Sequence, residues 1–309
     1  MKFGASVWPF KWEAPYEDTI VRIAKLGFRA VELIAWDRKV LDEYYTPGKI
    51  KELKDIIASE GMELSQFVST PSLMASPVER ERKEALEHFK KLVEVGSELG
   101  AKIVNSVAPY PFSMDFPPIT ERPLVQEQII DIPGNLDWSK NWEDYIEALR
   151  ECASICEDAG IRYSLEPHPY RYVSNADSML RILSEVESPA MGINFDPSHL
   201  FPCGEIPQVV IYRLGKNIIH AHLSDNDGLT NAHWRPGKGK MDWQGILKAF
   251  KDVGYSGVLS LELEDVPGVS RSGRFGEAER VSTELLDAEY IKAREYLREI
   301  CQHLNIPVE

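Results

Sequence analysis

The chain has 309 residues and a formal net charge of −14, with 35 Lys and Arg against 49 Asp and Glu. So acidic a surface repels phosphate backbones, which argues against a general nucleic-acid binder. With 43% hydrophobic and 10% aromatic residues, the chain can bury a full globular core, and neither a disordered nor a membrane-spanning class fits. The first residues, "MKFGASVWPF", run straight into an alternating strand pattern. They carry no basic stretch followed by an apolar one, so no signal peptide is expected. Of the four cysteines, Cys152 and Cys156 are four residues apart on a predicted helix. With no second Cys/His pair near them in sequence, they read as small buried hydrophobes in a reducing, cytoplasmic setting.

Eight short apolar runs follow one another along the chain with helical patterns between them. They are Lys2–Trp8, Ala30–Trp36, Glu63–Ser69, Lys102–Ala108, Arg162–His168, Met191–Asp196, Ile218–Asp225 and Gly257–Glu264. Gly27, Gly61, Gly100 and Gly160 stand just before four of these runs, where glycine supplies the left-handed turn that ends a helix. Apolar residues recur with a period of 3.6 in the stretches 77–100 and 141–160, as amphipathic helices require. The alternation predicts an α/β fold, a single (β/α)8 TIM barrel spanning residues 1–309 and closed by a C-terminal helix in 282–309. A doubly wound open sheet would carry a glycine-rich turn after its first strand, and "SVWPFKWEAP" has none.

Two connections are long for such a barrel, after the fourth strand (Pro109–Lys140) and after the eighth (Asp265–Val281). The first is rich in proline and aromatics, and its 110–138 stretch is expected to form a lid, with Phe112, Phe116 and Trp138 covering the barrel mouth.

Acids and imidazoles gather at the ends of the last four predicted strands. Glu166 and His168 lie at the end of the fifth; Asp196 ends the sixth and His199 follows it. His220, His222, Asp225 and Asp227 belong to the seventh, and Glu262 and Glu264 to the eighth. Residues two apart on a strand share a face, so one member of each pair lies deeper than the other. Several carboxylates converging on one mouth must raise their pKa values or take up a cation. Three carboxylates and one histidine suit Mn2+, Mg2+ or Co2+ better than structural Zn2+.

In order, the motifs "YSLEPHP", "INFDPSHL", "HAHLSDND" with "RPGKG" after it, and "LSLELE" resemble the metal-site motifs of the xylose isomerase-like barrel superfamily. That superfamily includes sugar-phosphate isomerases and epimerases and ketose 3-epimerases. The resemblance implies one divalent ion, Mn2+ first, with Mg2+, Co2+ or Zn2+ as alternatives, held by Glu166, Asp196, His222 and Glu262. It assigns His220 to packing or to a position behind the ligands and sets Glu264 further out. His199, Arg235 and His233 become candidate substrate-binding residues. The trinuclear zinc site of the related apurinic endonucleases is incomplete: "SQFVSTP" and "VNSVAPYP" lack the needed histidines, and Asn231 replaces an aspartate.

The implied activity is metal-dependent isomerisation or epimerisation of a small sugar through an enediolate, with Glu166 and Glu262 as acid and base. The alternative within the resemblance is a lyase, a dehydratase or the large subunit of a C-glycoside deglycosidase acting on a 3-oxo-glycoside. There His168 serves as an additional acid or base. The expected partners are a sugar or glycoside, a further copy of the chain or a small accessory subunit, and neither nucleic acid nor membrane.

Overall fold

Each of the eight apolar runs becomes a strand in the computed structural model, which describes residues 1–110, 114–115, 129–130, 132, 134–266 and 283–309. The strands are β1 (Lys2–Ser6), β2 (Ala30–Ala35), β3 (Glu63–Ser69), β4 (Ile103–Val107), β5 (Arg162–Glu166), β6 (Met191–Phe195), β7 (Ile218–Leu223) and β8 (Val258–Leu261). Most stop one to three residues short of the apolar run that encodes them, because the last residues of a run already turn toward the mouth. All pair in parallel with their sequence neighbours, and β1 pairs with β8 (Lys2 opposite Val258), so the sheet closes into a barrel. The helices are α1 (Glu17–Lys25), α2 (Arg38–Glu43), α3 (Pro47–Ser59), α4 (Glu79–Leu99), α5 (Trp138–Ala159), α6 (Ala176–Val186), α7 (Pro197–Leu200), α8 (Pro207–Leu214), α9 (Trp243–Asp252) and α10 (Thr283–His303).

The two longest connecting helices end as their glycines dictate. Gly100 after α4 (φ 81°) and Gly160 after α5 (φ 64°) take the left-handed conformation, which costs a residue with a Cβ about 1–2 kcal/mol. The α4 face bearing Phe89, Leu92, Val93 and Leu99 is buried, each side chain contributing roughly 1.5–3 kcal/mol of transfer free energy. Cys152 and Cys156 are buried on α5 as small core residues, with Cys152 Sγ 3.9 Å from Met74 Sδ.

The expected lid lies largely outside the described residues, Phe112 and Phe116 included. Within it Met114–Asp115 pairs antiparallel with Ile129–Ile130. Trp138 opens α5 and stacks on Tyr172, ring centroids 5.2 Å apart. None of the described helices is long and apolar enough to cross a membrane.

Barrels of this architecture usually fill their centre with bulky branched side chains. Here each strand sends in a polar one: Ser6, Glu32, Gln66, Asn105, Ser164, Asn194, His220 and Ser260, all buried. Hydrogen bonds between non-adjacent strands, such as Ser164 Oγ to Gln66 Oε1 at 2.9 Å, run through the lumen. This polar floor lies under the site.

Candidate metal centre

On four adjacent strands the residue two positions beyond the floor residue reaches the mouth. Ser164 is followed by Glu166, Asn194 by Asp196, His220 by His222 and Ser260 by Glu262. The period-two geometry of a strand therefore delivers four ligand-type side chains in register. One donor atom from each of Glu166, Asp196, His222 and Glu262 lies within 4.8 Å of the others, and all four residues are buried.

Asp196 explains the abrupt end of the β6 run. It is the N-cap of α7, where its Oδ1 accepts the Ser198 backbone N–H at 2.7 Å. Its Oδ2 is buried without a hydrogen-bond donor, as is Glu262 Oε2. The other Glu262 oxygen accepts the Trp8 indole N–H at 2.6 Å, and Glu166 Oε2 accepts from Asn105 Nδ2 at 3.0 Å. His222 Nδ1 stands 3.0 Å from Glu166 Oε1 and 3.3 Å from Glu262 Oε2.

The electrostatics follow from this crowding. Burial, then the charges of Glu262 and Glu166, push Asp196 well above the usual carboxylate range. Burial together with Glu166 and Glu32 also raises Glu262 against the pull of His222. Burial would raise Glu166 too, but His222, His199 and the Asn105 hydrogen bond bring it below its ordinary value. Burial works against a charged His222, yet Glu32, Glu166 and Glu262 hold its pKa well above that of a free imidazole. Two orphaned carboxylate oxygens and an imidazole nitrogen, buried and close together, are a donor set that fits a divalent cation.

The remaining candidates lie round this group. His199 on α7 has Nε2 3.5 Å from Asp196 Oδ2 and 3.8 Å from Glu166 Oε1. Its Nδ1 is 2.8 Å from Asn231 Oδ1, so Asn231 orients a histidine. His168 stacks on His199 at 3.5 Å between ring centroids, with Nε2 3.9 Å from Glu166 Oε1. His233 places Nδ1 3.6 Å from Glu262 Oε2. His220 lies in the floor, Nδ1 3.0 Å from Asn194 Oδ1, and burial lowers its pKa to about 4. Glu264 lies past the end of β8 and is half-buried.

Arg235 turns to α10 instead, where its Nε pairs with Glu289 Oε2 at 2.9 Å. Asp225 and Asp227 stand apart from the cluster for another reason. Asp225 accepts hydrogen bonds from the backbone of Gly237, Gly239 and Met241 and from the Trp243 indole. It thereby folds the "RPGKG" loop around itself, and a Cβ at Gly239 would fall 2.2 Å from Asn226 O. Asp227 accepts the N–H groups of Leu229 and Thr230 and closes a turn.

Sequence reasoning missed Glu32, Gln66, Asn105, Asn194 and Trp8. Glu32 carried a signal: a single acid inside the apolar run "AVELIAW", where burial demands a partner. The partners are His222 Nε2 at 2.9 Å and Gln66 Nε2 at 2.9 Å. Burial would raise the Glu32 carboxyl, but His222 and His220 bring it down to about 2.

The chain matches the family profile of the xylose isomerase-like TIM barrel over residues 20–300. It belongs to that family. Among its relatives is a D-psicose 3-epimerase from Ruminiclostridium cellulolyticum, 24% identical over 283 residues that cover 89% of this chain and 87% of that one. An inosose dehydratase from Clostridium perfringens is 22% identical over 314 residues, covering 93% and 90%. A crystal structure of D-psicose 3-epimerase with D-tagatose from Clostridium cellulolyticum H10 superposes with a TM-score of 0.76 at 23% identity, covering 97% of this chain and 99% of that one. At that identity the superposition establishes the shared xylose isomerase-like fold.

Proposed function

We propose that this xylose isomerase-like protein is a divalent-metal-dependent carbohydrate isomerase or epimerase that moves a proton next to a carbonyl. The observation that carries the reading is the group of four buried side chains on adjacent strand ends, with Asp196 Oδ2 and Glu262 Oε2 left without donors. The ketose 3-epimerase among its relatives supports the substrate class. Glu166, Asp196, His222 and Glu262 would hold the cation, Mn2+ before Mg2+, Co2+ or Zn2+, given three carboxylates and one imidazole. Bound there, it supplies Lewis-acid stabilisation of the negative charge that develops on the substrate oxygen.

The protein's own residues do the proton chemistry. Glu166 and Glu262 come from the outer two of the four strands and so flank the centre. One takes the proton from the carbon beside the carbonyl; the C–H electron pair forms the enediolate double bond, and the carbonyl pair moves onto oxygen. The other returns a proton. Delivery to the opposite face of the same carbon gives epimerisation; delivery to the neighbouring carbon, with the hydroxyl proton passing to the former carbonyl oxygen, gives isomerisation. General acid–base work of this kind is worth about 10²–10⁴-fold. His199 and His233 line the same group and offer ring nitrogens to sugar hydroxyls.

A lyase is the second reading, favoured by His168, which stacks on His199 beside Glu166, and by the inosose dehydratase relative. With a hydroxyl β to the acidic carbon, the enediolate pair expels it, and a protonated His168 supplies the proton that leaves with it as water. Metal analysis of the purified protein, then proton NMR of candidate keto-sugars in D2O, tests both readings. Deuterium entering one carbon with a new epimer or isomer supports the first, and loss of water supports the second. Binding of no divalent ion and exchange with no sugar would exclude both.

A further inference from the structure

Glu32 stands outside the four clustered side chains. It comes from β2, three strands round the barrel from β7, and is fully buried. Its Oε2 accepts from His222 Nε2 and from Gln66 Nε2, both at 2.9 Å. Its Oε1 accepts the hydroxyls of Ser6, at 3.3 Å, and of Ser260. Four donors on one side chain leave it no role but that of an ionised acceptor.

An imidazole that ligates a metal must be neutral, with one N–H and one lone pair. If Nε2 must carry the hydrogen to reach the Glu32 carboxylate, the lone pair is on Nδ1, the nitrogen that faces Glu166 and Glu262. Asn194 cannot make this choice, since its Nδ2 lies 3.2 Å from Nδ1 and 3.4 Å from Nε2. We propose that Glu32 is the positioning residue of the metal centre, fixing His222 through its Nε2–H so that Nδ1 is the ligating atom. The negative charge behind the ring also makes Nδ1 a stronger donor, as carboxylates behind metal-bound histidines do. The inference rests on the metal reading above.

Mn2+ titration by calorimetry, on protein stripped with chelator, provides the first test. Glu32→Gln is expected to weaken Mn2+ binding by about 10–100-fold. The swapped protein Glu32→Gln with Gln66→Glu is expected to recover much of that loss. Its new carboxylate takes the place of the Gln66 amide, whose Nε2 is 3.5 Å from His222 Nε2. A merely structural role for Glu32 predicts a lower metal-free unfolding midpoint and no such rescue.

A second measurement uses only the wild-type chain. Loaded with Zn2+ as a diamagnetic probe, it should show the His222 proton on Nε2 in long-range proton–nitrogen spectra. A proton on Nδ1, or Mn2+ affinity within about twofold of wild type in Glu32→Gln, overturns the role of Glu32 and leaves the metal reading standing. Wild-type protein that takes up no divalent ion overturns both.

Discussion

Asp196 and Asp225 are both fully buried aspartates that follow neighbouring strands, β6 and β7, yet their surroundings are opposite. Asp225 is saturated, with three backbone N–H groups and an indole converging on its two oxygens. Asp196 has one donor, the Ser198 N–H, and its other oxygen, which faces Glu166, Glu262 and His199, makes no hydrogen bond. The first carboxylate is consumed in folding a loop. The second remains available to a cation or a proton. Saturation, more than burial or position in the barrel, separates an acid that builds the scaffold from one able to do chemistry.

The largest expected effects fall on the unsaturated side. Glu262→Gln keeps the side-chain volume and removes the base, so turnover in the deuterium-exchange assay should drop by about 10²–10⁴-fold. Asp196→Asn should lower turnover comparably. Because it also relieves like-charge repulsion, it should stabilise the metal-free protein by about 0.5–2 kcal/mol in chemical denaturation. A metal-free Asp196→Asn protein that is clearly destabilised would erase the contrast with Asp225.

Asp225→Asn should do the reverse. Its amide offers one acceptor oxygen to four donors, so a loss of about 2–4 kcal/mol is expected. It should appear as a lower denaturation midpoint at unchanged slope.

Chelation separates the two acids again. Removing divalent ions from wild type present at a hundredfold excess over Kd should cost about 2.7 kcal/mol of stability. Asp225→Asn should keep that dependence, whereas Asp196→Asn should lose most of it. The smallest effect is expected at His199, which borders the cluster. His199→Asn should raise KM about tenfold, roughly 1.4 kcal/mol, in steady-state assays on the best sugar. A variant that instead releases the metal would assign His199 to the ligand set.

Periodicity made much of this molecule legible. Runs of apolar residues separated by 3.6-period stretches and by glycines such as Gly100 and Gly160 dictate alternating strands and helices, and the closed barrel is the arrangement found. The period-two rule grouped the acids and imidazoles at the strand ends by face, the motif resemblance singled out Glu166, Asp196, His222 and Glu262, and the structure brings those four together. The same rule could not rank the acids that accompany them. By periodicity alone Asp225 and Asp227 look no different from Asp196, which only the motif resemblance set apart, and Arg235 gives no hint of its pairing with Glu289 on α10.

Local sequence determined strands, helices, their order and which residues point inward, because these depend on dihedral preference and periodicity over a few neighbours. Closure of the barrel decided the rest. It carries Glu32 from β2 to His222 on β7 and Trp8 from the end of β1 to Glu262, across sequence separations of 190 and 254 residues. Hydrogen-bond saturation of a buried carboxylate depends on groups brought together across the lumen, so no stretch of neighbouring residues encodes it; the motif resemblance singled out Asp196, and the tertiary structure supplies the physical reason it differs from Asp225.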